Sequence, residues 1–132
     1  MADEITTTDN AFNIPSGYVC TLDMSTNDGK IAIAKALNGS EPLKNHMDEV
    51  LTLAGVVTTP GVRAVSNSTC TNNYLILADG TVLFSQSDGV TRSLKVIVGL
   101  WGENLSNGEG VKVKCISQNL NNGNTLKTIV PA

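Results

Sequence analysis

Three observations predict a mainly β chain with a small helical share. From residue 50 onward, short apolar runs alternate with Gly, Asn and Asp; pairs of runs meet at Asp79-Gly80 and at Asn122-Gly123; and one longer apolar stretch, 88–101, has helical spacing. With 132 residues, 41% of them hydrophobic and 16% charged, the chain can bury one core without disulfides or a metal. No apolar run approaches the roughly 20 residues that span a bilayer. The opening "MADEITTTDNAFNIPSG" is acidic and polar rather than basic and then apolar, so a cytoplasmic protein with no membrane partner is expected.

Residues 1–16 read as a flexible N-terminal arm, and residues 17–132 as a single domain made of a strand-helix extension (17–49) and a barrel (50–131). "GYVCTLD", 17–23, alternates Tyr18, Cys20 and Leu22 against Val19 and Thr21, a strand pattern. "STNDGKIAIAKALNG", 25–39, reads as a helix with cap candidates at Ser25 to Asn27, Asp28 in the first turn and Gly39 just past the end. Residues 40–49 form a polar connection. "VLTLAGVVTTPGVRAV", 50–65, is a long strand in which Pro60-Gly61 predicts a bend or bulge.

Residues 88–101, "DGVTRSLKVIVGLW", place Val90, Leu94, Ile97, Val98 and Trp101 within about 100° on a helical wheel. A third meander strand is the competing reading, but the run exceeds the roughly 4 to 8 residues of an ordinary strand, so helix is expected, with Ser87 or Asp88 as cap. Trp101 then reads as a core plug rather than a base-stacking ring. From residue 50 the order is strand, strand, strand, helix, strand, strand. That is the order of an OB-fold-like five-stranded Greek-key barrel with a helix between strands 3 and 4, here preceded by the N-terminal strand and helix.

A two-residue turn at Asp79-Gly80 would set Leu77 against Val82, Ile76 against Leu83 and Leu75 against Phe84. Leu75, Leu77, Val82 and Phe84 would face the core. Tyr74, Ile76, Ala78, Thr81, Leu83 and Ser85 would share a mixed second face that something must cover: a nucleic-acid strand, a second subunit, or residues 17–39. A two-residue turn at Asn122-Gly123 likewise sets Cys115 against Val130 and Ser117 against Thr128, leaving Lys112, Lys114 and Lys127 together on the outside. Such lysines can follow phosphates, or simply keep an edge soluble.

Charge is uneven. Residues 1–60 hold three lysines against eight acids, a net of −5; residues 61–132 hold six basic residues against four acids, a net of +2. A polyanion site is sought in the second half. Catalytic patterns are missing: His46 is the sole histidine, "DMSTNDG" lacks the Gly and Glu of a calcium loop, and "DGK" lacks the flanks of a phosphate-binding loop. Cys20, Cys70 and Cys115 are far apart with no C-x-x-C pair. No enzyme activity, no cofactor, no metal and no small-molecule substrate are expected.

"LTLAGVVTTPGVR" at 51–63, "SQSDGVTRS" at 85–93 and "NGNTLKTIVP" at 122–131 resemble small single-stranded DNA-binding proteins of phages and conjugative elements in Gram-positive bacteria. The resemblance runs from "NAFNIPSGYVC" onward and implies an OB-fold that coats exposed strand during replication or transfer, as an oligomer. The chain departs from better-known bacterial relatives of that function in having few aromatics and in ending "LKTIVPA" rather than in an acidic tail. The expected partners are single-stranded DNA and further copies of the chain. Arg63, Tyr74, Ile76, Leu83, Arg92, Lys112, Lys114 and Lys127 are the expected nucleic-acid-binding residues, with Tyr74 as a stacking ring. The alternative is a phage- or element-associated assembly protein that self-associates through the outer hairpin face.

Overall fold

Thr26 starts the first helix by accepting a hydrogen bond from the Gly29 N–H at 3.1 Å, which satisfies one of the amides left over at a helix start. The structure, a computed structural model, describes residues 17–102, 105, 108–119, 123 and 125–132; the expected arm at 1–16 lies outside them. Helix α1 runs Asn27–Asn38 and ends at Gly39, whose N–H returns to the Lys35 carbonyl. Strands β1 (Glu41–Pro42), β2 (Val50–Val62), β3 (Thr69–Leu77) and β4 (Val82–Ser85) precede helix α2 (Asp88–Trp101), and β5 (Val111–Asn119) and β6 (Thr125–Pro131) follow it. A 3-10 turn, Leu43–His46, links β1 to β2. The strands form one curled, mainly antiparallel sheet in the order β1-β4-β3-β2-β5-β6, with only the β1–β4 pair parallel. The mainly β expectation and the helix between the third and fourth long strands both stand.

Strand β2 is the backbone of the sheet, pairing with β5 over Val50–Leu53 and with β3 over Leu53–Val62. The expected break at Pro60-Gly61 does not occur: Pro60 pairs with Thr71 and Gly61 with Cys70. The reason is directional. Beyond β5, the free side of β2 points its N–H groups at residues 19–21, with Val56 donating to Thr21 Oγ1 and Thr58 to the Val19 carbonyl. Pro60 has the same parity as Thr58, so its missing donor falls on the side away from β3 and costs no ladder bond. The bulge lies instead at Ala54, where the register shifts between Leu53 and Gly55. Along that side the expected strand at 17–23 shrinks to a single bridge, Cys20 to Val57.

Helix α2 buries Val90, Leu94 and Ile97 and packs Val98 and Trp101 against the same core, as its spacing predicts. That core includes Leu53, Val56, Leu75, Leu83, Val113 and Cys115 on one face of the sheet. On the other face Ile33 and Ala36 of α1 cover Val57, Ile76 and Val82, flanked by Leu22, Leu37 and Tyr74. The mixed hairpin face is therefore closed by residues 17–39 of the chain itself.

Both hairpins differ from expectation by one residue. Asn73 faces Ser85, Tyr74 faces Phe84, Leu75 faces Leu83 and Ile76 faces Val82. The loop is Ala78-Asp79-Gly80, three residues rather than two: Leu77 N–H donates to the Thr81 carbonyl, Asp79 Oδ1 accepts from Thr81 N–H at 2.9 Å, and Gly80 takes φ +92°. Because side chains alternate, the slip sends Leu83 into the core and Val82 and Phe84 to the opposite face. In the last hairpin Cys115 faces Ile129, Ser117 faces Lys127 and Asn119 faces Thr125, which is the last pair of the ladder, and Gly123 has φ +87°. Asn122 itself lies outside the described residues. No helix among the described residues is long and apolar enough to cross a membrane.

Candidate nucleic-acid interface

The new registers bring cations together at one end of the sheet. Lys127 shares a face with Ser117 and Cys115, away from Lys112 and Lys114, and leans over the start of α2, whose Gly89 packs directly against the Lys127 carbonyl and Leu126. Lys44 arrives from the 3-10 turn and Arg63 from just past β2. With Pro42, Phe84, Ser85, Gln86 and Ser87 they line an open groove of about 420 Å³.

The groove floor is fixed by hydrogen bonds. Arg63 Nη2 donates to the Gln86 carbonyl at 2.9 Å and to Asp88 Oδ1 at 3.1 Å. Gln86 Nε2 donates to Asn72 Oδ1 at 2.9 Å. Beneath them Asn73, fully buried, donates through Nδ2 to the Ser85 carbonyl at 3.0 Å and to Thr91 Oγ1 at 2.8 Å, tying β3 to the end of β4 and to α2. Among the described residues its Oδ1 has no hydrogen-bond partner. Ser87 stands at the N-cap of α2 without a side-chain cap bond, so the positive end of a 14-residue helix faces the groove with its first-turn amides uncapped by that side chain. Asp88 offsets part of this charge. Beside the groove, Phe84 lies against Tyr74 with ring centroids 5.2 Å apart at 52°.

The expected site residues divide. Arg63 and Lys127 meet in the groove, and Tyr74 adjoins it through Phe84. Leu83 is fully buried in the main core and Ile76 is buried beneath α1, so neither is presented on an outer face. Arg92 is exposed on α2, while Lys112 and Lys114 lie on the other face of β5 from Lys127. Lys44, Phe84, Gln86 and Ser87 are groove residues that sequence reasoning does not single out. A two-residue turn places Phe84 in the core, and Lys44 sits in a connection with no periodicity.

Neither Cys20 nor Cys115 has an activated thiol. Burial pushes Cys20 above the usual thiol range against the opposing effect of its hydrogen bond with the Leu22 backbone, and burial pushes Cys115 up against the pull of Lys127. Among the described residues no cluster of His, Cys, Asp and Glu is arranged to hold a metal ion. No family model, curated protein or solved structure matches the chain.

Proposed function

We propose that the chain binds single-stranded DNA without catalysing a reaction, seating phosphates among Lys44, Arg63 and Lys127 and a base against Phe84. One observation carries this reading: three cations from three separate segments converge on one groove, beside a helix N-terminus and an aromatic pair. Tracking of a backbone by cations, with bases stacked on rings, is the sequence-tolerant mode of single-strand binding. The order β4-β3-β2-β5-β6, with α2 between β4 and β5, is compatible with a partly open five-stranded Greek-key barrel, and so with an OB-fold. The resemblance to phage and conjugative-element proteins points the same way, to a protein that protects strand during replication or transfer in the cytoplasm. Assembly through the outer hairpin face would first have to displace α1, which occupies it. A fluorescence-anisotropy titration with oligo-dT and with a duplex of the same length tests the reading. Preference for the single strand supports it, and absence of binding at micromolar protein in low salt removes it.

A further inference from the structure

His46 faces two carboxylates at once. Its Nδ1 is 3.2 Å from Glu49 Oε1 and its Nε2 is 3.2 Å from Glu41 Oε1. A neutral imidazole has one N–H, so it can donate to one carboxylate and must turn a lone pair to the other; only the imidazolium satisfies both.

The two carboxylates belong to different parts of the chain. Glu41 lies in β1, which holds the sheet edge through two residues only, facing Leu83 and Phe84. Glu49 directly precedes β2. Between them the segment carries Pro42 and Lys44, two of the groove-lining residues. It closes through Asp48, which adopts a left-handed backbone (φ +64°) that a non-glycine residue takes at a cost, and whose N–H donates to the Cys115 carbonyl of β5 at 2.9 Å. From β4 only the apolar Leu83 and Phe84 face β1. Lys44 shares the 3-10 turn with His46, while Asp48 and Lys127 exert their charge on Cys115. Glu41 and Glu49 are thus the charged groups that govern the imidazole.

We propose that His46 is a pH-operated clip: protonated, it ties β1 to the start of β2 and holds Pro42 and Lys44 in the groove wall; deprotonated, it releases the segment. The hydrogen bond with Glu49 raises the His46 pKa above its ordinary value, desolvation opposes it, and the Coulombic pull of both carboxylates adds to the rise. A pKa raised by folding gives stability that is complete below the unfolded-state value and lost as pH rises through the folded-state value. The consequence for ligand rests on the polyanion reading above: affinity falls over the same pH window.

Amide exchange followed by NMR, in the wild type and in His46→Gln, tests the clip without any ligand. Protection factors of residues 43–49, corrected for intrinsic exchange, should fall between about pH 5.5 and pH 8.5 in the wild type, as the imidazolium that holds both carboxylates is lost. In His46→Gln they should not change with pH. Protection that is independent of pH in the wild type, or that falls equally in the variant, overturns the clip. Oligo-dT anisotropy at the same two pH values separates the second claim: weaker wild-type binding at the higher pH, abolished by His46→Gln, supports coupling to the groove. Equal affinity at both pH values overturns that coupling. A clip that titrates while no oligo-dT binds at either pH leaves the clip standing and removes the polyanion reading.

Discussion

Leu75 stands directly across from Leu83, and both are fully buried in the main core. A two-residue turn would have put Phe84 in that place. The three-residue loop at Ala78-Asp79-Gly80 moves the pairing by one, and with a side-chain period of two that exchanges the faces of the whole of β4.

Leu83→Ala should therefore cost about 2 to 5 kcal/mol, as for a large aliphatic side chain removed from a packed core. Phe84→Ala, which opens onto the groove, should cost less and should weaken single-strand binding instead. Urea denaturation of the two variants decides it. The reverse order of stabilities would restore the two-residue turn.

Gly89 lies where α2 meets β6, and a Cβ there would overlap the Lys127 carbonyl oxygen and crowd Leu126. The obstacle is backbone, so a flexible side chain cannot absorb it. Nearby, Ser93 Oγ accepts from the Ile129 N–H at 3.1 Å and holds the same strand to the helix. Gly89→Ala should destabilise the protein by about 1 to 3 kcal/mol, the usual range for overpacking. It should also lower oligo-dT affinity by moving Lys127. A melting temperature unchanged from wild type would contradict this packing.

Cys20 and Cys115 have thiols pushed up in pKa by burial, and Cys115 is fully buried. At neutral pH their thiolates are scarcer than in an ordinary cysteine, so alkylation should be slow, and faster as pH rises. Time-resolved labelling by mass spectrometry should find Cys115 slowest of the three. Fast modification of Cys115 in the folded protein would contradict its place in the core.

Much of this architecture could be read from residue types. Helix α2 follows from the spacing of Val90, Leu94 and Ile97, and α1 follows from Thr26 and Gly39 at its ends. The positions of both hairpins follow from Asp79-Gly80 and Asn122-Gly123. Loop length does not follow, because an Asp-Gly pair serves a two-residue turn and a three-residue loop with a left-handed glycine equally well. That single ambiguity exchanges Leu83 with Phe84, and its counterpart in the last hairpin moves Lys127 from the face of Lys112 and Lys114 to the groove. Arg63 and Tyr74 are legible as candidates, but their neighbours depend on register. Lys44 is illegible because its position comes from a short 3-10 turn inside a polar connection.

If the groove is the single-strand interface, Lys44 and Lys127, not Lys112 and Lys114, neutralise the phosphates. The deciding measurement is the dependence of oligo-dT affinity on salt concentration for the wild type, for Lys44→Ala with Lys127→Ala, and for Lys112→Ala with Lys114→Ala. The groove pair should weaken binding and make the slope of log affinity against log salt shallower by about 1.4, some 0.7 for each single-strand phosphate left without its lysine. The β5 pair should leave that slope close to wild type. A groove pair that binds as tightly as wild type at every salt concentration, with the slope diminished in the β5 pair, would rule out the groove and return the interface to the outer face of the last hairpin.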